Sequence, residues 1–183
     1  MKAKRLTTLS MLIALNVILS VLTPIKLSNF KLTFEAFPIL IAGILLGPID
    51  GIIVGTVGSL IYQILFSGYG LMPTTILWVI PHAVSGYLVG LYSKNHNYEL
   101  NNKQTILITI LSSLVVTLLN TVAIYIDAKV YGYYSFAYVF GSIIIKILTG
   151  VILAIIYSAI IPTLVKFLKK KLGTNSKQNK KMD

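Results

Sequence analysis

Six apolar stretches, separated by short polar or glycine-containing breaks, run through nearly the whole chain, and this succession limits its fold more than any other feature. The stretches cover residues 6–22, 34–46, 48–66, 74–92, 105–126 and 137–165. About 20 apolar residues in helical form cross a hydrocarbon core of roughly 30 Å. In lipid the backbone must satisfy its own polar groups, which a helix does within one segment. The pattern predicts an all-α integral membrane protein, a bundle of six transmembrane helices over residues 1–165. A basic tail over residues 166–183 is expected to be disordered. With 183 residues, 56% of them hydrophobic, and a mean hydropathy of +0.83, six spans consume the chain and leave no room for a separate soluble domain.

The first stretch follows Lys2, Lys4 and Arg5 and has the layout of a signal peptide, but no small-residue cleavage site comes after it, so it reads as a span. Gly47-Pro48-Ile49-Asp50-Gly51 predicts a turn between the second and third stretches. Pro81 predicts a kink in the fourth. Tyr125, Tyr131, Tyr133 and Tyr134 mark an interface at the end of the fifth.

The net charge of +11 is distributed at the membrane edges rather than on one solvated face, which argues against a nucleic-acid partner and for contact with the lipid bilayer. In a six-span layout, twelve of the 16 basic residues fall on one side: Lys2, Lys4, Arg5, Lys94, Lys103, Lys166, Lys169, Lys170, Lys171, Lys177, Lys180 and Lys181. Only Lys26, Lys31 and Lys129 fall on the other. By the positive-inside rule both termini are expected in the cytoplasm. Lys146 alone falls inside a span, about 13 Å along a helix begun at Ala137.

An ionisable group inside a membrane is costly and marks a functional site by default. Lys146 reads either as an anion-binding cation in an outward-facing cavity or as a structural partner of Asp127 or a carbonyl. Asn16, Gln63, Trp78, His82 and Asn120 share the outer halves of their helices, with Glu35, Ser67, Tyr69, Thr74 and Thr75 at the same level. Aromatic faces beside a few hydrogen-bonding groups suit an oriented small molecule. Each polar side chain alone also reads as a bond to a neighbouring helix. Small residues recur every three or four positions at Gly51, Gly55, Gly58, Gly86, Gly90, Gly150 and Ala154, a spacing that brings helices close together. Ser10 and Ala14, beside the basic amino terminus, read as a docking position for a partner membrane protein.

There is no cysteine, so thiol chemistry and thiolate metal sites are excluded. Neither GxxxxGK[ST], HExxH nor GxSxG occurs, and His82 with Ser85 is a poor beginning for a hydrolase. No catalysis, no cofactor and no metal are expected, and energy for transport has to come from a partner. An autonomous carrier or channel is the competing class, although no inverted repeat is evident.

The block FEAFPILIAGILLGPIDGIIVGTVGSLIYQ (residues 34–63), the first-helix SMLIA (10–14), PTTILWVIPHAVSGYLVGLY (73–92) and TLLNTVAIYID (117–127) resemble the substrate-binding S components of energy-coupling factor (ECF) vitamin transporters, most closely the folate-type branch. The resemblance implies capture of a vitamin at the extracellular face of a bacterial plasma membrane. It further implies a transmembrane coupling (T) protein and two ATPase (A) subunits as partners, with docking at Ser10 and Ala14. By the same resemblance the ligand is held by Glu35, Gln63, Tyr69, Thr75, Trp78, His82, Asn120 and Lys146. Arg5 is the sole arginine, and riboflavin, pantothenate, a thiamine precursor and a queuosine-like base stand as alternatives to folate.

Overall fold

A computed structural model describes residues 2–22, 25–27, 30–32, 34–68 and 70–172, with the backbone alone for residues 2, 25–27, 30–32, 171 and 172. The helices are α1 (Lys2–Leu22), α2 (Ala36–Leu46), α3 (Pro48–Leu65), α4 (Thr75–Asn95), α5 (Asn102–Val130), α6 (Phe136–Phe140) and α7 (Ile143–Leu172). A small antiparallel hairpin, β1 (Ile25–Leu27) and β2 (Phe30–Leu32), follows α1 with Lys26 opposite Lys31.

The expected bundle of six transmembrane helices is modified in two places. Five helical stretches are long and apolar enough to cross a membrane, whereas α2 has 11 residues. At 1.5 Å per residue it rises about 16 Å, roughly half the hydrocarbon thickness. It can be this short because it is the buried centre of the bundle. Ile39, Ile41, Ala42 and Leu45 are fully buried, and α2 packs against α1, α3, α4 and α7. A helix apolar on all sides belongs in such a position. The last stretch is also divided: α6 ends at Gly141, and the Lys146 amide bonds the Ser142 carbonyl at 2.9 Å to begin α7. Lys146 therefore sits in the first turn of α7, not deep in one unbroken helix. At the other end α7 runs to Leu172, carrying Lys166, Lys169 and Lys170 on helix. Residues 173–183 of the expected tail lie outside the described residues.

The Gly47-Pro48 turn forms as read. Gly47 takes φ +106°, which an L side chain resists, and Pro48 begins α3 without needing a backbone N–H. Asn101 opens α5 through a capping box with Gln104, both bonds at 2.9 Å. Pro81 lies within α4, which continues on both sides of it.

Glycines set the α3–α4 contact. A Cβ at Gly51 would stand 2.3 Å from the Gly86 carbonyl oxygen, and one at Gly86 would stand 2.1 Å from that of Gly51. One turn along, a Cβ on Gly55 would meet the His82 carbonyl at 2.4 Å. Backbones at this separation are possible only without side chains, and the close approach fixes the rotation of α4 that points Trp78, His82 and Ser85 into the bundle. The outer surface carries exposed Leu6, Met11, Ile80, Leu118, Ile145 and Ile152, as lipid contact requires.

Candidate functional site

Helices α2, α3, α4, α5 and α7 enclose a cavity of about 200 Å³. It begins at Glu35, the residue before α2. Glu35 is held on three sides: the Ser20 hydroxyl donates to its Oε2 at 2.7 Å, its Oε1 lies 3.6 Å from His82 Nε2, and Asn16 Nδ2 donates to its carbonyl at 2.6 Å. Gly58 makes this possible, because a Cβ there would stand 2.1 Å from Asn16 Oδ1. Glycine in α3 thus admits an amide from α1, and that amide fixes the start of α2.

Trp78 lies one turn before His82 on α4 and packs against Ile124, Ala128 and Val139, so α5 and α6 hold its indole while it borders the cavity. Asn120 faces the same space from α5, and Gln63 from α3. Lys146 enters from α7 and is 7% exposed. Gly150 lets α7 close on α5, since a Cβ there would stand 2.5 Å from Ser113 Oγ. Two turns further, Tyr157 packs its ring 6.1 Å from Phe34 and 5.7 Å from Phe37.

Six of the eight expected ligand-binding residues thus border one cavity: Glu35, Gln63, Trp78, His82, Asn120 and Lys146. Thr75 does not. It is buried, and its Oγ1 accepts from the Met72 amide at 2.9 Å, so it shapes the loop before α4. Tyr69 lies outside the described residues. Ser10 and Ala14 are exposed, one turn apart on α1, beside exposed Leu6, Met11 and Ile18, on a different surface from the cavity.

The cavity also reaches where no polar set was expected. Thr109, Ser112, Ser113 and Thr117 border it along α5, with Ser59, Tyr62, Ser85 and Tyr157 from other helices. From Thr109 to Ile124 the lining runs about 22 Å along α5. The Ser85 and Ser112 hydroxyls bond each other at 2.7 Å, and Thr109 and Thr117 donate to carbonyls one turn back. The Thr109 and Thr117 hydroxyls keep lone pairs available while their protons are engaged, and in the Ser85–Ser112 pair one hydroxyl donates to the other. Their sequence signal is the helical spacing of 105, 109, 112, 113, 117, 120 and 121, a polar stripe on a lipid-length helix. Among the described residues no three His, Asp or Glu side chains gather as a metal site would require.

A largely apolar cavity that carries a lysine, a carboxylate and an indole among its lining, enclosed within a helical membrane bundle, is suited to bind and orient a small molecule. The family model described as "ECF transporter, substrate-specific component" matches residues 4–165. The chain belongs to that family. This S component is accordingly a multi-pass membrane subunit of a transporter and not an enzyme. Its fold is similar to three solved structures. FolT bound with folic acid shares 21% identity over 86% of this chain and 91% of that one, with a TM-score of 0.67. The S component for biotin from an ECF-type ABC transporter shares 20% over 90% and 92%, with a TM-score of 0.69. An S component of a bacterial ECF transporter shares 25% over 92% and 99%, with a TM-score of 0.68. Comparison with curated proteins finds no match.

Proposed function

We propose that this S component captures a vitamin, folate first among them, from the outer face of a bacterial plasma membrane and passes it inward with an ATP-driven module. The observation that carries the reading is the convergence of Trp78, Asn120, His82 and Lys146, from three helices, on one cavity. Trp78 offers a stacking face, Asn120 and Gln63 offer hydrogen bonds to a ring edge, and Lys146 offers a positive charge to a carboxylate. Likeness of fold to FolT bound with folic acid supports folate as a candidate ligand.

In this reading residues 1–165 form the substrate-binding unit, residues 166–183 form a basic cytoplasmic tail, and both termini are cytoplasmic, as the twelve-to-three distribution of basic residues favours. A transmembrane coupling protein carrying two ATPases docks on α1 at Ser10 and Ala14. The S component supplies selection and the partners supply work.

Native mass spectrometry of the purified chain against folates, flavins, biotin, pantothenate, thiamine precursors and deazaguanines tests this directly. The expected result is one vitamin bound one to one and lost in Lys146→Ala. Solute flux through liposomes containing the chain alone, with no vitamin bound, replaces the reading with an autonomous carrier.

A further inference from the structure

Among the described residues Glu35 carries the one carboxylate bordering the cavity, and it is built in rather than incidental. It is 15% exposed, and three residues from two other helices fix its position: Ser20 and Asn16 on α1, His82 on α4. Placing a carboxylate inside a membrane bundle is costly. Holding it beside His82 and turning it toward a ligand cavity gives that cost a use: the cavity contains a strong hydrogen-bond acceptor of fixed direction.

The other charged group, Lys146, comes from α7, a different wall, and is a donor without acceptor capacity. A ligand that satisfies both offers N–H donors at one end and an anion at the other. Trp78 on α4, one turn from His82, adds a flat aromatic surface to the same cavity. A saturated amine would not use that surface, whereas a planar heterocycle would. Two parallel N–H groups on such a ring, as in a 2-amino-4-oxopyrimidine, match two carboxylate oxygens in the same fork geometry that a guanidinium uses.

Resting on the vitamin-capture reading, we infer that Glu35, positioned by Ser20 and His82, is the specificity-determining acceptor for an amino-substituted pyrimidine-type ring, and that Lys146 takes an anionic group on the same molecule. Asn16 acts one step further back, through the Glu35 backbone. Biotin and pantothenate have no such ring edge, so a Glu35-centred site disfavours them.

The test measures binding of folic acid and of its 2-desamino analogue to the full chain by isothermal titration calorimetry, with wild type and Glu35→Gln, and with biotin and pantothenate as comparison ligands. Hydrogen bonds to a charged group of the strength involved here correspond to about a 10- to 100-fold change in affinity. Folic acid is expected to bind wild type more tightly than the 2-desamino analogue by that factor, and the gap is expected to close in Glu35→Gln. Lys146→Met is expected to weaken folic acid but to leave binding of pterin, which has no carboxylate, within about twofold. If wild type does not distinguish folic acid from its 2-desamino analogue, the inference falls without reference to any variant. If biotin or pantothenate binds tightly instead, vitamin capture stands and the Glu35 assignment falls. Binding of none of these compounds, with solute flux through the chain alone, overturns both.

Discussion

Arg5 on α1 and Asp50 in the first turn of α3 meet as a two-pronged ion pair, Nε to Oδ2 at 2.8 Å and Nη2 to Oδ1 at 2.9 Å. Asp50 is 1% exposed and Arg5 30%, so the carboxylate depends on its partner for nearly all its solvation. Breaking a buried pair by removing one member costs about 3–5 kcal/mol, and the partial exposure of Arg5 puts this pair at the lower end. Arg5→Ala is expected to lower the melting temperature in detergent clearly, and Arg5→Lys to recover only part of the loss, because a lysine cannot reproduce the fork. Equal melting of Arg5→Lys and wild type would show that the bidentate geometry is unimportant.

The α3–α4 contact leads to a comparison of two glycines. At Gly86 an added Cβ meets backbone 2.1 Å away, whereas at Gly150 it meets the Ser113 hydroxyl, a side chain able to rotate. Overpacking costs about 1–3 kcal/mol where nothing yields. Gly86→Ala is expected to fall at the top of that range and Gly150→Ala near its bottom, read as loss of helical signal on heating. The reverse order would mean that α4 can shift more easily than Ser113.

Ser85 and Ser112 bond each other with both residues 2% exposed. Hydrogen bonds between transmembrane helices average about 0.6 kcal/mol in double-mutant cycles. Ser85→Ala and Ser112→Ala are each expected to destabilise mildly, and the double variant by less than their sum, since the second change removes a hydroxyl already without its partner. Strict additivity would mean that the pair contributes nothing to α4–α5 association.

Ser10 and Ala14 lie on the exposed side of α1, while Asn16 and Ser20 hold Glu35 from its inner side. If the exposed face is the docking surface, Ser10→Leu with Ala14→Leu is expected to abolish co-purification with the coupling protein and ATPases while ligand affinity stays within about twofold. Loss of ligand binding as well would show that the two faces of α1 are not separable.

Much of the fold was legible because it is written locally. The Gly47-Pro48 turn, the membrane-length stretches and the glycine spacing each follow from a few adjacent residues. The depth of Lys146 was not, because the Gly141-Ser142 pair, a site where helices break, reads in sequence as part of one apolar stretch, whereas α6 ends at Phe140 and α7 begins at Ile143. The second apolar stretch is the shortest of the six in the sequence, yet the place of α2 at the centre of the bundle depends on four other helices covering it. The hydroxyl stripe of α5 was visible as a period but indistinguishable from a run of self-satisfied threonines, which donate to their own helix in any fold.

By itself the sequence determined that this protein lives in a membrane, that its spans are helices, and that its polar groups are few enough for each to matter. Those properties are sums over some 20 neighbouring residues against a fixed hydrocarbon thickness. Which polar groups meet is another kind of quantity. Arg5 and Asp50 are 45 positions apart, and Glu35 and His82 belong to different elements. Their encounters depend on how each helix is rotated and how closely two backbones approach. Gly51, Gly58 and Gly86 decide that by what they leave out, and the consequence appears only when the helices are packed together.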